Sequence, residues 1–352
     1  MSEIFLQLSK KDRGDALGVA AEQSRRPAHL LEKDVWVVWA LRTMFQSPFG
    51  PHLVFKGGTS LSKAYGAIER FSEDIDLTYD IRKIAADLVG ENNEEALPPT
   101  KSQEKRWTRD IRERLTKWAA EDVLPLLQRA LQDERLSATA TVDPEDSHVL
   151  RIEYEHTAEG TGYVKPVVIL EFGARSTGEP CDPIAVRCDM AEFVPALTFP
   201  TSTPRVMRVE RTFWEKATAV HVYCQGGRLA GSRFSRHWYD LCHLDSAGHA
   251  ASALTMRDVA DRVARHKGWF FPAKDAGGVV IEYASAVGGQ MRLIPPRGRL
   301  LDELADDYRK MLEDGLLLDD SVPFEKILEQ SRSLEDRVNK AMAVVPPVTS
   351  TP

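Results

Sequence analysis

The sequence predicts an α/β (α+β) fold, in which a small mixed β-sheet with its helices precedes a helical C-terminal lobe. Two kinds of pattern predict it. Short apolar runs at residues 53–55 and 167–170 are typical of buried strands, whereas apolar residues recur at helical spacing in residues 28–46 and 209–223. We therefore expect a core over residues 1–200, a helical lobe over 201–345 that completes a cleft with it, and a disordered tail over 346–352.

The composition indicates a soluble globular protein. The chain has 352 residues, of which 43% are hydrophobic and 28% are charged, and its formal net charge is −7. No apolar run approaches the roughly 18 residues of a transmembrane helix, and the N-terminus lacks the basic-then-apolar order of a signal peptide. The cysteines form no Cys-x-x-Cys pair. We therefore expect a cytoplasmic protein with reduced thiols and no membrane partner.

The stretch VFKGGTSLSKAYGAIERFSEDIDLTYD, which begins at Val54, is the centre of the core. Its opening apolar residues predict a short buried strand. Gly57 and Gly58 then predict a turn. Thr59 and Ser60 can cap the next helix with their hydroxyl oxygens, and Leu61 to Ile68 fits that helix. The free N–H groups at such a helix start favour phosphate.

Two carboxylates close this stretch. Asp74 and Asp76 alternate with Ile75 and Leu77, so in a strand both carboxylates face one side. Two such charges about 4 Å apart repel by roughly 4 kcal/mol at an effective dielectric near 20. A bound Mg²⁺ or Mn²⁺ would relieve the repulsion, because these cations prefer hard oxygen ligands. A phosphate-binding turn beside a metal-binding pair predicts a nucleoside triphosphate (NTP) site, although either motif alone is more often ordinary surface structure.

Five segments together resemble the AbiEii/AbiGii toxin family of nucleotidyltransferases, which includes the MenT toxins, within the DNA-polymerase-β-like superfamily. The segments are LEKDVWVVWAL, FKGGTSLSKAY, RFSEDIDL, ERTFWEKATAVH and RHWYDLCHL. The resemblance implies a polymerase-β-like nucleotidyltransferase core. It also implies a toxin that transfers NMP from an NTP to an acceptor hydroxyl, in some relatives at the 3′ end of tRNA, and a separately encoded antitoxin partner. Another acceptor, or a non-catalytic nucleotide-binding protein, remains an alternative.

The resemblance also implies roles for individual residues. Asp74 and Asp76 would hold Mg²⁺, Lys216 would bind the triphosphate, and Asp240 would orient Lys216 or the acceptor. The residues expected to seat the nucleotide are Lys56, Gly57, Gly58, Thr59, Ser60 and Ser72. Lys33 and Asp34 also fall in a resembling segment, but their position assigns them no chemistry.

The resemblance to polymerase-β-like enzymes also implies a third metal-binding carboxylate on a neighbouring strand. Residues 138–198 alternate like strands, and a hairpin is predicted around Gly160-Thr161-Gly162. Glu171 ends the apolar strand VVILEFG, where a charge is costly to bury without a partner. Glu171 is therefore the first choice, with Glu153 and Glu155 as rivals, and a strand-end salt bridge with Arg175 as the ordinary alternative.

Further segments lead to weaker expectations. Residues 101–118 hold seven basic and three acidic residues with Trp107 and Trp118 among them, which fits either a nucleic-acid-binding surface or a solvated helix with its tryptophans in the core. Pro125 should kink or restart the long helix over Gln103–Gln128. Residues 226–236 suggest a mobile loop. HKGWFFP suggests an aromatic turn, in which His266 and Lys267 could contact the acceptor.

Overall fold

The structure is a computed structural model that describes residues 3–72, 74–90, 93–160, 164–226, 233–313, 316–317 and 322–343. The chain forms two compact units, Met1–Arg208 and Val209–Pro352. The sheet belongs to the first unit, and the described part of the second unit is mainly helical. The α/β class with a small mixed sheet is confirmed.

The first unit combines a central sheet with helices and short segments. Its strands are β1 (Glu3–Ile4), β2 (Leu53–Lys56), β3 (Asp74–Tyr79), β4 (Ala138–Val142), β5 (Val149–Tyr154), β6 (Val167–Gly173), β7 (Cys181–Pro183), β8 (Val186–Arg187), β9 (Leu197–Thr198), β10 (Thr201–Ser202) and β11 (Arg205–Met207). Its helices are α1 (Lys10–Ser24), α2 (Ala28–Gln46), α3 (Gly57–Lys63), α4 (Ile81–Ile84), α5 (Ala86–Val89), α6 (Lys101–Trp118) and α7 (Leu124–Asp133).

The central sheet has seven strands among the described residues, in the order β4-β5-β6-β3-β2-β11-β7. β3 lies in the middle, parallel to β6 and antiparallel to β2. Two-stranded pairs join β1 to β9 and β8 to β10. The strand that bears the aspartate pair is therefore flanked on both sides by strands whose side chains can reach it.

The strand–Gly-Gly–helix–strand order is present, but the helix differs from its prediction. α3 begins at Gly57 and ends at Lys63, with Lys56 in extended conformation before it. Thr59 and Ser60 therefore lie inside the helix and do not cap it. The expected continuation to Ile68 is also wrong, since the chain leaves the helix before Gly66, which has a φ of +57°.

The predicted hairpin is present in the sheet. β5 and β6 pair antiparallel, with Glu153 opposite Val167 and Val149 opposite Glu171. Of the predicted turn, Gly160 is described, whereas Thr161 and Gly162 lie outside the described residues. The same register sets Glu171 beside Asp76 on the neighbouring β3.

The long helix of the first unit restarts near Pro125, as predicted. α6 passes into a π-helical turn at Ala119–Val123, and α7 then begins with Pro125 in its first turn. Trp107 and Trp118 are buried, and Trp118 stacks on Tyr79 with ring centroids 4.4 Å apart. The two tryptophans thus belong to the core and do not offer their faces to nucleic-acid bases.

The second unit consists, in its described part, of helices and short connections. The helices are α8 (Val209–Gly226), α9 (Arg236–Ser246), α10 (His249–Thr255), α11 (Arg257–Phe270), α12 (Tyr283–Ser285), α13 (Arg299–Glu313) and α14 (Phe324–Met342). The predicted aromatic turn is wrong in part, because His266 to Phe270 continue α11. Most of the predicted mobile loop (residues 227–232) and the tail from residue 344 lie outside the described residues.

Among the helices that the structure describes, none combines the length and the apolar character needed to cross a membrane.

Candidate functional site

The aspartate pair lies at the start of the central strand. Asp74 and Asp76 are part-exposed, whereas Ile75 and Leu77, which alternate with them, are fully buried. The alternation places both carboxylates on the face opposite to these aliphatic side chains. Lys56 of β2 pairs in register with Asp76, and its Nζ lies 3.7 Å from Asp76 Oδ1. A cation thus already contacts one of the two carboxylates.

Gly57 allows α3 to begin directly against Asp76. Its φ of +77° is strained for residues that have a side chain. A Cβ built on Gly57 would overlap the Asp76 carboxylate, with 2.7 Å to Cγ and 3.0 Å to the Cβ of Asp76. Both the backbone conformation and the close approach therefore require glycine at this position.

Gly58 gives a second close approach, to a side chain that the sequence motif did not single out. A Cβ on Gly58 would lie 2.5 Å from Nη2 of Arg70 and 2.8 Å from Oγ of Ser72. Arg70 is only 4% exposed, and its Nη1 donates to the carbonyl of Phe71 at 3.2 Å. A buried guanidinium and a hydroxyl therefore lie beside the helix start. The only indication of this residue in the sequence was its place as the first residue of the resembling segment RFSEDIDL.

The two hydroxyls of α3 make internal hydrogen bonds. Thr59 Oγ1 donates to the backbone oxygen of Asp74 at 2.5 Å, and Ser60 Oγ donates to the backbone oxygen of Gly57 at 2.9 Å. Both residues are buried. Thr59 therefore ties α3 to the first residue of the aspartate strand. Because both hydroxyls are used inside the protein, the backbone at Gly57 and Gly58 is better placed than they are to contact a ligand.

Among the candidates for a third carboxylate, Glu171 lies nearest in register to the pair. Glu171 is exposed on β6 and pairs with Asp76, whereas Glu153 pairs with Val167, four residues earlier on that strand. At about 3.3 Å per residue, Glu153 is displaced by about 13 Å along the strand. Glu153 also pairs with Arg151 at 3.2 Å, and Glu155 with Lys10 at 3.5 Å.

The chemistry of the donors fits a hard cation, but the described residues do not form a complete metal site. Within the described ranges, no group of three or more Asp, Glu, His or Cys side chains is placed to hold a metal ion. Glu73, between Ser72 and Asp74, lies outside those ranges. Asp74 and Asp76 thus present carboxylate oxygens on one face, and their role as metal ligands, like a third ligand, stays a prediction.

Lys216 and Asp240 form a buried ion pair within the second unit. Lys216 Nζ lies 2.7 Å from Asp240 Oδ2, and the Asp240 side chain is completely buried. Lys216 itself is 8% exposed, so it is a buried lysine. This ion pair is compatible with the expected role of Asp240 in orienting Lys216, and its expected role toward the acceptor stays a prediction. Lys267 donates to the carbonyl of Glu215 at 2.7 Å, so its amine is held against α8.

The exposed side of α6 is basic. Its solvent-facing basic side chains are Lys101, Lys105, Arg106, Arg109, Arg112 and Lys117. Some of this charge is offset locally, since Arg109 pairs with Asp110 and Lys117 with Glu121. The tryptophan part of the nucleic-acid prediction fails because both rings are in the core, whereas the basic face itself is present.

Together these features define the class of protein. Two strand-borne carboxylates, a glycine helix start pressed against them and nearby basic side chains form an arrangement suited to a cation and a phosphate ester. This is the chemistry of an enzyme that handles nucleotides.

The sequence profile of the family described as "Nucleotidyl transferase AbiEii toxin, Type IV TA system" matches residues 39–330. The chain therefore belongs to this family and is a nucleotidyltransferase toxin of a type IV toxin–antitoxin system. Its family implies an NTP substrate and an antitoxin partner.

MenT4, a nucleotidyltransferase toxin from Mycobacterium tuberculosis H37Rv, aligns with 96% of this chain and 100% of its own, at 17% identity and a TM-score of 0.42. No curated protein matches the chain. The family assignment therefore depends on the sequence profile.

Proposed function

We propose that this toxin transfers the NMP group of an NTP to a hydroxyl at the 3′ end of tRNA in a metal-dependent reaction. The observation that supports the proposal best is the contact between Gly57 and Asp76. It brings the start of α3 against a carboxylate that shares its face with Asp74. Phosphate binding and cation binding are thereby offered side by side.

The proposed reaction replaces the phosphoanhydride bond between the α- and β-phosphates of the NTP by a phosphodiester bond to the acceptor. The acceptor oxygen forms a bond to the α-phosphorus, and the bond from that phosphorus to the oxygen bridging to the β-phosphate breaks. Pyrophosphate leaves with the electron pair, and the acceptor proton is released to solvent. Such transfers depend on positioning and on stabilising the charge of the phosphates, so rigid backbone and fixed charges suit them.

The chain's own residues would share this work. Asp74 and Asp76 are the proposed ligands for Mg²⁺ or Mn²⁺, with Glu171 as the proposed third. A divalent ion bound there would neutralise charge on the attacked phosphate and on the leaving group. The backbone at Gly57 and Gly58 would seat the phosphates.

Several side chains complete the proposed nucleotide site. Ser72 and Lys56 lie beside the glycine backbone and the aspartate pair, where they can favour negative charge. In the second unit, we propose that Lys216 contributes phosphate-binding charge while Asp240 holds its amine in place.

RNA is favoured as the acceptor class by the basic face of α6, since polyanion binding relies on exposed lysine and arginine. A small acceptor would need no such surface. This part of the proposal is separable from the reaction type and is tested separately.

A labelling assay tests the reaction and the acceptor together. Purified protein is mixed with Mg²⁺, one α-labelled NTP at a time and total bacterial RNA. We expect label in a tRNA-sized band with the wild type and none with Asp76→Asn of unchanged melting temperature. Label in protein or in a small molecule alone would replace the acceptor, and equal labelling by Asp76→Asn would refute the role of the pair.

Two matched carboxylate variants test the third ligand. Glu171→Gln should weaken activation by Mg²⁺, whereas Glu153→Gln, an exposed glutamate on the adjacent strand, should leave it unchanged. The reverse result would assign the ligand to Glu153. Label transfer with and without EDTA provides the control for metal dependence itself.

A further inference from the structure

An ion-pair network with Asp34 and Lys63 at its buried centre connects α2 and α3 to the short 3₁₀ helix at Asp189–Glu192. Lys63 Nζ lies 2.6 Å from Asp34 Oδ1 and 2.5 Å from Asp189 Oδ1. The other oxygen of Asp34 accepts from the backbone N–H of Asp189 at 2.7 Å. Arg26 pairs with the second carboxylate oxygen of Asp189. Two cations and two carboxylates thus meet at one point in the first unit.

The burial of Asp34 and Lys63 indicates that their ion pair fixes the position of α3. Only 3% of the Asp34 side chain and 7% of the Lys63 side chain are exposed. Taking such charges out of water costs several kcal/mol per ion, so apolar residues of similar size are often at least as stabilising. What apolar residues would not supply is the fixed direction of these short, charge-assisted bonds.

The network acts on the last residue of α3, and the first residues of the same helix touch both aspartates. Thr59 donates to the backbone of Asp74, and Gly57 closes on the Asp76 carboxylate. α3 has seven residues, which corresponds to a length of about 10 Å. A displacement of Lys63 at the end of α3 should therefore also displace Gly57 and Thr59, which contact the carboxylate pair at its start.

We propose that Asp34, acting through Lys63, is a positioning residue for the Asp74–Asp76 pair. The proposal rests on the proposed function, because it assumes that this pair takes part in nucleotidyl transfer. It gives the aspartate of the LEKD segment a task that its sequence position did not suggest. Asp34 touches neither nucleotide nor acceptor in this proposal.

The charge state of Asp34 provides a readout specific to positioning. Burial is the main cause that raises its pKa, to about 6, although Lys63 acts in the opposite direction. The titratable groups that face it are Lys63, Asp189 and the thiol of Cys188. Burial alone would lower the pKa of Lys63, but Asp34 and Asp189 raise it on balance, and burial raises the pKa of Cys188 well above 9.0. Lys63 and Cys188 therefore keep their protonation states around pH 6.

The test compares the wild type with Asp34→Asn, which resembles the protonated aspartate in shape and charge. The full-length proteins are assayed for label transfer to tRNA across about pH 5 to 8, which brackets the titration of Asp34. We expect the ratio of wild-type to variant kcat to be near 1 at the acidic end. It should rise about tenfold or more above pH 7, with a midpoint near 6, because a misplacement of about 1 Å can cost about 100-fold.

Glu134→Gln is the matched control. It removes the ion pair that Arg42, on the same helix α2 as Asp34, makes with Glu134, which follows α7. Its kcat ratio should stay near 1 at every pH. The KM for the NTP should change little in Asp34→Asn, since the seat for the phosphates keeps its own groups.

The outcomes separate three cases. A wild-type/Asp34→Asn ratio that stays at 1, or one that is raised equally at all pH values, overturns the proposal. Absence of transfer by the wild type would instead refute the proposed function. If Asp34→Asn melts below the assay temperature, Lys63→Arg and Lys63→Gln take its place. Arginine should then retain kcat and glutamine should lose about tenfold, and equal kcat for the two would overturn the inference.

Discussion

Gly57→Ala should separate the geometry of the carboxylate pair from the stability of the fold. A Cβ at this position would lie 2.7 Å from Cγ of Asp76. Non-bonded carbon atoms are normally about 3.5–4.0 Å apart, so the carboxylate must move by about 1 Å. The positive φ of +77° adds a backbone cost of about 1–2 kcal/mol for alanine. We therefore expect a modest loss of stability and a loss of about 100-fold in kcat.

Gly66→Ala is the matched control for this prediction. Gly66 also has a positive φ, +57°, but nothing lies within 4 Å of the place that its Cβ would occupy. Both variants should lose about 1–2 kcal/mol in a urea titration, because the backbone cost is shared. Only Gly57→Ala should lose label transfer, measured on folded protein well below its melting temperature. Equal activity of the two variants would refute the argument that the position of Asp76 sets the rate.

Three further predictions concern other residues. Gly58 does not have a positive φ, but the added Cβ of Gly58→Ala would meet Arg70 and Ser72. The kcat/KM for the NTP should therefore fall about tenfold at nearly unchanged stability. Unchanged kinetics would show that this contact does not belong to the site. Lys216→Met leaves the buried Asp240 without its lysine and should cost about 3–5 kcal/mol in urea unfolding, much of which Lys216→Met with Asp240→Leu should recover. Burial is the main cause that lowers the pKa of His221 to about 4, below its ordinary 6.5. The free energy of unfolding of the wild type should therefore fall by about 2 kcal/mol between pH 6.5 and pH 4. His221→Gln should show a flatter dependence of the melting temperature on pH.

The hydrogen bond of His221 explains why acid should lower the stability of the fold. Its Nδ1 accepts the backbone N–H of Arg292 at 3.0 Å, which requires that nitrogen to be unprotonated in the folded state. The unfolded chain takes up a proton at higher pH than the folded one, and acid therefore favours unfolding. An unchanged acid limb in His221→Gln would show that other groups control it.

Local patterns in the sequence were enough to identify the central unit of the fold. The period of two in Asp74–Leu77 correctly predicted a strand with both carboxylates on one face, because side-chain alternation is a local property of the extended backbone. The helical spacing in residues 209–223 predicted α8 for the same reason. Pro125 marked the restart of the long helix, since proline cannot donate to the previous turn. The family resemblance then connected these elements to nucleotidyl transfer, and the family profile supports it.

The tertiary structure alone decided which side chains meet. The backbone N–H of Asp189 donates to the carboxylate of Asp34, which lies 155 residues earlier in the chain. The alignment of Glu171 with Asp76 depends on a strand register that no local pattern fixes. α3 starts and ends earlier than its helical pattern suggested. The turn at Gly57 and the bond from Thr59 to Asp74 fix its start, and the chain has left the helix before Gly66, whose φ is positive. Sequence periodicity specifies which way a side chain faces within its own element. The partner of that side chain depends on how separate elements pack, and packing is set by the whole chain at once.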